Sequence, residues 1–314
     1  MNSSKIKYTI SVLIPTWKRA DKLTICLEHI SLQSRAADEV IVVIRKEDEI
    51  ALSIIERFKN KIPGLREVFT EKIGVIAAEN AGLKNITNDL VAFIDDDGYA
   101  PIDWLEKIEL FFVNHPSAAA LGGPDIIMTE PWSYHDFPVH TAGKMSWYGK
   151  VTGNHHRKVL GETRVVDVLK GVNMTFKRGM FDLLDENLAG AEGHLGNGSQ
   201  WELDLCMRVQ KNNGIIYFDP SLLVTHDSNH SHHDYIKAAK NNTHNLSYVM
   251  LKNLTFPQNC IFILYALIVG NMQLPGLIKN INDLLKKPDF YTLQLINSKY
   301  SGFYGGIKTW LRLF

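Results

Sequence analysis

An apolar run that ends in three consecutive carboxylates is the feature that most constrains how this chain can fold. Residues 90–94 are apolar, and Asp95, Asp96 and Asp97 follow directly. A buried parallel strand tolerates no charge along its length, but its carboxyl end opens into the crevice where α/β sheets bind ligands. We therefore expect the three acids to lie at the mouth of such a crevice.

The acid cluster is also interpreted as a metal site. Three neighbouring carboxylates repel one another, and a divalent cation among them relieves that repulsion. Hard oxygen ligands suit Mg²⁺ or Mn²⁺, and a cation held there can bind a diphosphate. A solvated acidic turn is the alternative.

The first third of the chain alternates short apolar runs with amphipathic stretches. Strands are predicted over residues 10–14, 39–44, 65–69 and 90–94, and helices over 20–33, 49–60, 75–84 and about 101–114. Repeated βα units imply a doubly wound, mostly parallel sheet with right-handed crossovers and flanking helices. The fold class is therefore predicted to be α/β.

The pattern changes after residue 122. Residues 122–164 are rich in Gly, Pro, His and aromatic residues, and so long an irregular stretch inside a domain is usually functional or mobile. Further strands are predicted over residues 165–169, 174–176 and 215–218, and helices over 200–213 and 232–252.

Composition and absent motifs exclude several classes of protein. Lys+Arg and Asp+Glu balance at 34 each, which argues against a nucleic-acid partner. The 3 cysteines form no CxxC pair, so neither a disulfide framework nor a zinc site is indicated. No GxGxxG, GxxxxGK[ST], HExxH or GxSxG motif is present. Because residues 1–8 lack an apolar signal segment, a cytoplasmic location is expected.

The last sixty residues differ in character. Residues 260–269 are an unbroken apolar run that is too short to span a bilayer. Residues 279–314 hold six basic residues against two acidic ones, with aromatic residues interleaved. That composition suits the surface of an anionic membrane, so peripheral contact through residues 256–314 on the inner face of the cytoplasmic membrane is one prediction. A helical tail that packs on the preceding domain is the other.

Five stretches of the chain, taken in order, resemble the family 2 glycosyltransferases, which are inverting enzymes of the GT-A fold that use nucleotide-sugar donors. They are residues 12–19 (VLIPTWKR), 74–82 (GVIAAENAG), 93–97 (FIDDD) with 103–105 (DWL), 171–174 (GVNM), and 201–205 (WELDL) with Arg208, Pro220 and His226. The resemblance covers about residues 8–230. It implies a GT-A catalytic domain over 1–230, with a nucleotide-sugar-binding half to about 120 and an acceptor and catalytic half over 121–230. Residues 231–314 would form a helical extension.

The resemblance assigns residues to a nucleotide-sugar donor and a divalent metal, Mn²⁺ or Mg²⁺. The donor side comprises Pro15, Thr16, Arg19, Asp48, Asn80, Asp95 and Asp96. Asp97 and His226 are the implied metal ligands, and Asp95 is a further candidate. The register of Asp48 is open, because Arg45 directly follows the second strand. Glu79 stands where relatives commonly have arginine, which leaves one expected donor contact in question.

Glu202 is the expected general base. Direct displacement at a sugar's anomeric carbon needs a carboxylate that takes the proton of the acceptor hydroxyl. Relatives usually show Glu-Asp at this point, so Glu202 in Trp201-Glu202 occupies the Asp position. Asp204 is the rival, and only one of the two should face the cleft, because helical residues two apart do not share a face. Both acids facing solvent is the remaining alternative. Gly171, Asn173 and Trp201 are assigned to the acceptor side.

The expected activity is inverting sugar transfer to a hydroxyl of a glycan or lipid-linked acceptor, in cell-surface glycan or polysaccharide synthesis. Trp132, Trp147 and Tyr148 are candidate stacking faces for sugar rings. Two alternatives stay open. One is a nucleotidyltransferase, although the first loop lacks the glycine such enzymes usually carry there. The other is a catalytically decayed sugar-nucleotide-binding or membrane-scaffold module.

Overall fold

Helices cover both faces of an eight-stranded sheet in the computed structural model, which describes residues 7–130, 134–188, 199–228 and 234–314. The strands are Ile10–Pro15 (β1), Glu39–Ile44 (β2), Leu65–Phe69 (β3), Leu90–Phe93 (β4), Gly98–Tyr99 (β5), Ala118–Gly122 (β6), Asp125–Ile127 (β7), Lys144–Met145 (β8), Val151–Thr152 (β9), Arg164–Val165 (β10), Met174–Lys177 (β11), Ile215–Phe218 (β12) and Val224–His226 (β13). The helices are Ala20–Ser31 (α1), Glu49–Phe58 (α2), Val75–Leu83 (α3), Trp104–Asn114 (α4), Trp201–Lys211 (α5), Tyr235–Asn253 (α6), Gln258–Leu264 (α7), Leu277–Lys286 (α8) and Phe290–Leu311 (α9).

The strand order of the large sheet is β10-β12-β6-β11-β4-β1-β2-β3. Strand β1 pairs in parallel with β2 and β4, β2 pairs in parallel with β3, and β12 pairs in parallel with β6. Strand β11 runs antiparallel to both β4 and β6. The predicted α/β class with a mostly parallel sheet is confirmed. The central position of β4 brings the acids that follow it to the middle of the sheet's edge.

Two hydrophobic cores explain why β4 is apolar at every position and β1 at every position except Ser11. Successive side chains of a strand point to opposite faces, and both faces of this sheet are covered. Leu13 and Phe93 belong to the core that also contains buried residues of α3 and α5. Val12 and Ala92 belong to the core that contains buried residues of α1, α2 and α4.

Within the eight-stranded sheet, the structure differs from the sequence-based strands at two places. Strand β6 was not predicted, because three of its five residues are alanine, which is depleted in strands. The strand predicted over 165–169 was wrong beyond Val165. There the N–H groups of Asp167 and Val168 donate to the carbonyl of Gly143, so the chain turns away from the sheet.

The C-terminal helices pack on one another at close range. A Cβ at Gly302 would lie 2.2 Å from the carbonyl oxygen of Lys240, and a Cβ at Gly306 would lie 2.5 Å from that of His244. The glycines therefore allow α9 to lie directly against α6, which in turn contacts α5. Across the described ranges, every helix is too short or too polar to cross a bilayer.

Candidate active site

Strand ends assemble the site. Strands β1 and β4 are parallel neighbours, so Thr16 after Pro15 and the acids after β4 emerge at the same edge of the sheet. Strand β13 pairs with β5 and with β7, which aligns His226 with Gly98. This pairing brings His226 beside Asp97.

Arg19 binds two of the three acids. One guanidinium nitrogen lies 2.6 Å from Asp96 Oδ1 and the other lies 2.9 Å from Asp97 Oδ2. The hydroxyl of Thr16 donates to Asp96 Oδ2 at 2.7 Å. Burial raises the pKa of Asp96 to about 6, although Arg19 and Thr16 act in the opposite direction. Both oxygens of Asp96 are therefore bonded within the protein, and this acid fixes the loop that follows β1.

Asp95, Asp97 and His226 form a group that could hold a divalent cation. One potential ligand atom from each residue lies within 4.8 Å of the others. Burial opposes ionisation of Asp97, but bonds from His226 and Arg19 outweigh it and hold the pKa of Asp97 below its ordinary value. Two carboxylates and an imidazole match the ligands that divalent cations take in proteins, so the residues present fit such an ion.

Two residues that the sequence did not reveal support His226. Asp125 Oδ2 lies 3.0 Å from His226 Nδ1 and 2.5 Å from Lys170 Nζ. A carboxylate on one ring nitrogen orients a histidine whose other nitrogen meets a metal. Burial disfavours the protonated ring, but the bonds to Asp125 and Asp97 outweigh it and raise the pKa of His226 to about 9. A cation that binds His226 would therefore have to displace the ring proton that faces Asp97. The sequence held one signal for Asp125. Like Asp95 after β4, it is an acid that comes shortly after a buried strand, in this case β6 and the residues Gly122–Pro124 that break it.

Glu202 lies in the first turn of α5, beside the turn at Gly171. A Cβ at Gly171 would lie 3.1 Å from Glu202 Oε1 and 3.0 Å from the ring of Trp201, so only glycine leaves the carboxylate in place without displacement. Burial raises the pKa of Glu202 to about 7, and the charge of Asp95 adds to the effect. The site thus contains a carboxyl group with a pKa near 7 that lies outside the group able to hold a cation.

Asp204 has opposite surroundings. Its side chain is 1% exposed, and it accepts bonds from Arg208 at 2.9 Å, from Lys252 at 2.9 Å and from Asn253 at 2.8 Å. Lys252 and Asn253 belong to α6, so Asp204 ties α5 to that helix. The two acids therefore face different parts of the protein, as the spacing on a helix predicted.

Asp48 and Asn80, both assigned to the donor, are occupied by the protein itself. Asp48 caps α2 by accepting from the N–H of Ala51, and its other oxygen accepts from the N–H of Lys18 at 2.6 Å. Asn80 exchanges two hydrogen bonds with the backbone of Leu184, at 3.0 and 2.7 Å. These bonds give both residues a structural role, and their contact with a donor stays a prediction.

The acceptor-side residues are equally buried. Asn173 accepts from the indole N–H of Trp104 and donates to the carbonyls of Pro124 and Leu222. Trp201 is buried among apolar core residues. These surroundings give both side chains a structural role. Contact of Asn173, Trp201 or Gly171 with an acceptor stays a prediction.

Two of the aromatic candidates, Trp147 and Tyr148, contact each other with ring centroids 5.8 Å apart. Trp147 is exposed, whereas Tyr148 packs against Tyr265 of the C-terminal part with ring centroids 5.0 Å apart. Trp132 lies outside the residues that the structure describes.

Comparison with known proteins identifies the family. Residues 11–181 match Glycosyl transferase family 2. The chain belongs to this family. A glucosyl-dolichyl phosphate glucuronosyltransferase of Haloferax volcanii is 24% identical over 220 residues, which are 66% of each protein. The glycosyltransferase GlyA of Streptococcus pneumoniae is 26% identical over 113 residues, which are 36% of this chain but only 16% of GlyA. The matched regions therefore span less than two thirds of these relatives.

Solved structures show the same fold as this family 2 glycosyltransferase. The mannosyltransferase PcManGT of Pyrobaculum calidifontis, solved with GDP-Man and Mn²⁺, matches with a TM-score of 0.54 and 14% identity over 97% of this chain and 87% of its own. Residues 1–349 of S. aureus TarS, solved with UDP-GlcNAc, match with a TM-score of 0.59 and 14% identity over 96% of this chain and 89% of its own. The GT-A fold is therefore confirmed.

Proposed function

We propose that this glycosyltransferase moves a sugar from a nucleoside-diphosphate sugar to a hydroxyl acceptor and inverts the anomeric carbon. The observation that carries the proposal is the separation of two kinds of acid. Asp95, Asp97 and His226 form a cation-competent group where β4 and β13 end, whereas Glu202 is a carboxyl group on α5, beside Gly171, with its pKa raised to about 7.

On the donor side, Asp97 and His226 would hold a Mn²⁺ or Mg²⁺ ion, with Asp95 as a further ligand or ribose contact. Such an ion, when bound, neutralises the diphosphate and makes it a better leaving group. The partly exposed guanidinium of Arg19 adds positive charge at the same edge of the sheet. The Mn²⁺ and nucleotide-sugar complexes of the two structural neighbours support this assignment.

On the acceptor side, Glu202 would act as the general base. The acceptor oxygen attacks the anomeric carbon while the bond to the diphosphate oxygen breaks, and Glu202 takes the hydroxyl proton. Attack opposite the leaving group inverts the anomeric configuration. Asp204 cannot share this role in the observed arrangement, because Arg208, Lys252 and Asn253 hold it at the interface with α6.

The proposed acceptor is a glycan or a lipid-linked sugar in cell-surface glycan or polysaccharide synthesis. The name of the Haloferax relative, which includes a dolichyl phosphate, supports a lipid-linked acceptor. We assign transfer to a catalytic domain over residues 1–230 and place a helical extension over 231–314.

The extension is proposed to contact a membrane peripherally. No charged residue occurs between 253 and 278. Leu277, Ile281 and Leu285 of α8 are exposed, and Leu285 is 78% exposed. Lys286 and Lys287 follow at the end of that helix, and basic residues beside an exposed apolar face suit an anionic bilayer surface.

The test of the proposed reaction is to incubate the chain with Mn²⁺, nucleotide sugars and a panel of hydroxyl acceptors. Release of a nucleoside diphosphate is expected, and proton NMR of the product should show the anomeric configuration opposite to that of the donor. Release of pyrophosphate would instead indicate a nucleotidyltransferase. Donor binding without turnover across the panel would indicate the decayed module.

A further inference from the structure

Glu79 is a buried acid with one carboxyl oxygen that is unpaired within the described part of the chain. It lies on α3 and is 1% exposed, and its Oε2 atom has no hydrogen-bond partner within the described residues. Burial and the charges of Asp95 and Glu202 both disfavour its ionised form. Buried polar groups in folded proteins are nearly always bonded, so an orphaned carboxyl oxygen needs an explanation.

The cations near the site are engaged elsewhere. Arg19 binds Asp96 and Asp97, and Lys170 binds Asp125. None of these interactions reaches Glu79.

The fold of α3 does not require this carboxyl. Ile76 and Ala78 bury their side chains in the core, and Asn80 fixes the helix to Leu184 through two hydrogen bonds. An apolar residue of similar size at position 79 would serve packing at least as well, because it would bury no unpaired polar atom.

The location of Glu79 indicates what would pair with it. Its electrostatic neighbours are Asp95, from the cation-competent group, and Glu202, the proposed base. In the proposed reaction the diphosphate lies at the group that contains Asp95, and the attacking hydroxyl lies at Glu202. The sugar that is transferred must therefore occupy the space between them.

We propose that Glu79 is a specificity-determining residue that binds a hydroxyl of the donor's sugar ring. The inference rests on the proposed function. Glu79 would contact the sugar and not the nucleoside diphosphate, so its loss should weaken binding of the nucleotide sugar and leave binding of the sugar-free nucleotide unchanged.

The experiment compares wild type, Glu79→Met and Glu79→Gln by calorimetry in Mn²⁺, with UDP-GlcNAc against UDP and GDP-Man against GDP. For the nucleotide sugar that wild type binds, Glu79→Met should weaken affinity by roughly tenfold or more, the size expected for a hydrogen bond to a carboxyl group. Its affinity for the matching sugar-free nucleotide should stay within about twofold of wild type. Glu79→Gln, which keeps an acceptor oxygen, should lie between the two.

A thermal melt of the ligand-free variants separates ligand binding from a structural role. Glu79→Met should melt above wild type, because it removes a buried unpaired group. Glu109→Gln on α4, which packs on the opposite face of the sheet, is the control and should leave all nucleotide affinities unchanged.

Three results would overturn the inference. One is equal affinity of wild type and Glu79→Met for the nucleotide sugar. Another is a melting point of Glu79→Met below that of wild type, together with equal losses of affinity for the nucleotide sugar and for the sugar-free nucleotide. Both of these results would leave the proposed function intact. Failure of wild type to bind any nucleotide sugar would overturn the inference together with the proposed function on which it rests.

Discussion

Glu202 and Asp204 are two residues apart on one helix, yet the protein surrounds them differently. Glu202 meets Gly171 and the charge of Asp95, whereas Asp204 is enclosed by basic and amide groups. A carboxylate near neutral pKa can accept a proton and release it again, whereas one held by cations is a poor base. The environment therefore favours Glu202 as the reactive acid.

The raised pKa of Glu202 predicts a pH dependence. The base must be ionised, so activity should be full above pH 7 and fall as the pH drops through about 7. Because kcat/KM reports the free enzyme, log kcat/KM measured at saturating Mn²⁺ should approach a slope of one on the acidic side. A profile that stays flat from pH 5 to pH 8 would contradict the role of Glu202.

Gly171 offers a second test at the residue scale. A methyl group there would press on Glu202 Oε1 and on the ring of Trp201. Gly171→Ala should therefore lower kcat by roughly ten- to a hundredfold through misplacement of the base, with donor affinity retained. Gly153→Ala is the matched control, because its Cβ would meet only His155 Nδ1 at 3.8 Å. Equal activity of the two variants would argue that Gly171 does not position Glu202.

The sequence alone could identify the acidic residues of the site. It could not show which neighbouring groups form hydrogen bonds and ion pairs with the site residues. An apolar run followed by carboxylates marks a strand end, so Asp95–Asp97 were predictable. Asn80 and Asn173 were assigned to ligands, and their motifs gave no sign that backbone groups also bond their side-chain amides. Asp125 was missed because it reaches His226 only through the pairing of β13 with β7. Lys170 was missed because it bonds Asp125 from a distant part of the sequence.

At the scale of elements, helices α5 and α6 are joined through an ion-pair network. Lys252 binds both Asp204 and Asp185, and Tyr248 also donates to Asp185. The network holds the helix that carries Glu202 in one position. Asp204 is buried, whereas its partners Lys252 and Arg208 are each 21% exposed. Removing one member of the network leaves the charge of another without full compensation.

Asp204→Asn should therefore destabilise the fold without changing the chemistry. We expect a loss of about 3 kcal/mol in the free energy of unfolding, measured by urea denaturation, because the buried Asp204 carboxylate loses its ion pairs with Arg208 and Lys252. Turnover per folded molecule should stay close to wild type. Asp103→Asn is the control, since its pair with Lys107 is partly exposed and should contribute less than about 1 kcal/mol. Loss of turnover in a fully folded Asp204→Asn variant would return the base assignment to Asp204.

The elements themselves were predictable to different degrees. Strands β2, β3 and β12 have the predicted bounds, because β-branched and aromatic residues form short runs between breakers. Strand β6 has no such signal, and it is a strand because β11 and β12 pair on its two sides. Tertiary pairing overrode local propensity there.

At the scale of the whole molecule, charge is unevenly distributed. The chain is formally neutral, yet residues 279–314 carry six basic residues against two acidic ones. Part of this segment, α9, packs on α6, while α8 leaves an apolar face exposed. The sequence could not distinguish packing on the domain from membrane contact, because both need apolar residues. In the structure α9 packs on α6, and the exposed apolar face of α8 remains for the proposed membrane contact.

Vesicle cosedimentation tests that contact. The chain should bind vesicles of phosphatidylcholine and phosphatidylglycerol at low salt and should bind less as salt screens the lysines. Leu285→Glu should weaken binding by roughly tenfold, since it places a charge on the apolar face. Ile50→Glu changes an exposed apolar residue of α2 and serves as the control. Absence of binding by wild type at low salt would rule out the extension as a membrane contact.

The central claim is a division of labour, in which the acids after β4 hold the donor and Glu202 activates the acceptor. Its most direct test measures donor affinity in Mn²⁺ and turnover for Asp97→Asn and Glu202→Gln. Asp97→Asn should lose the Mn²⁺-dependent part of donor affinity, whereas Glu202→Gln should bind the donor within about twofold of wild type and lose turnover by at least about a hundredfold. Undiminished donor affinity in Asp97→Asn, or undiminished turnover in Glu202→Gln, would contradict the account.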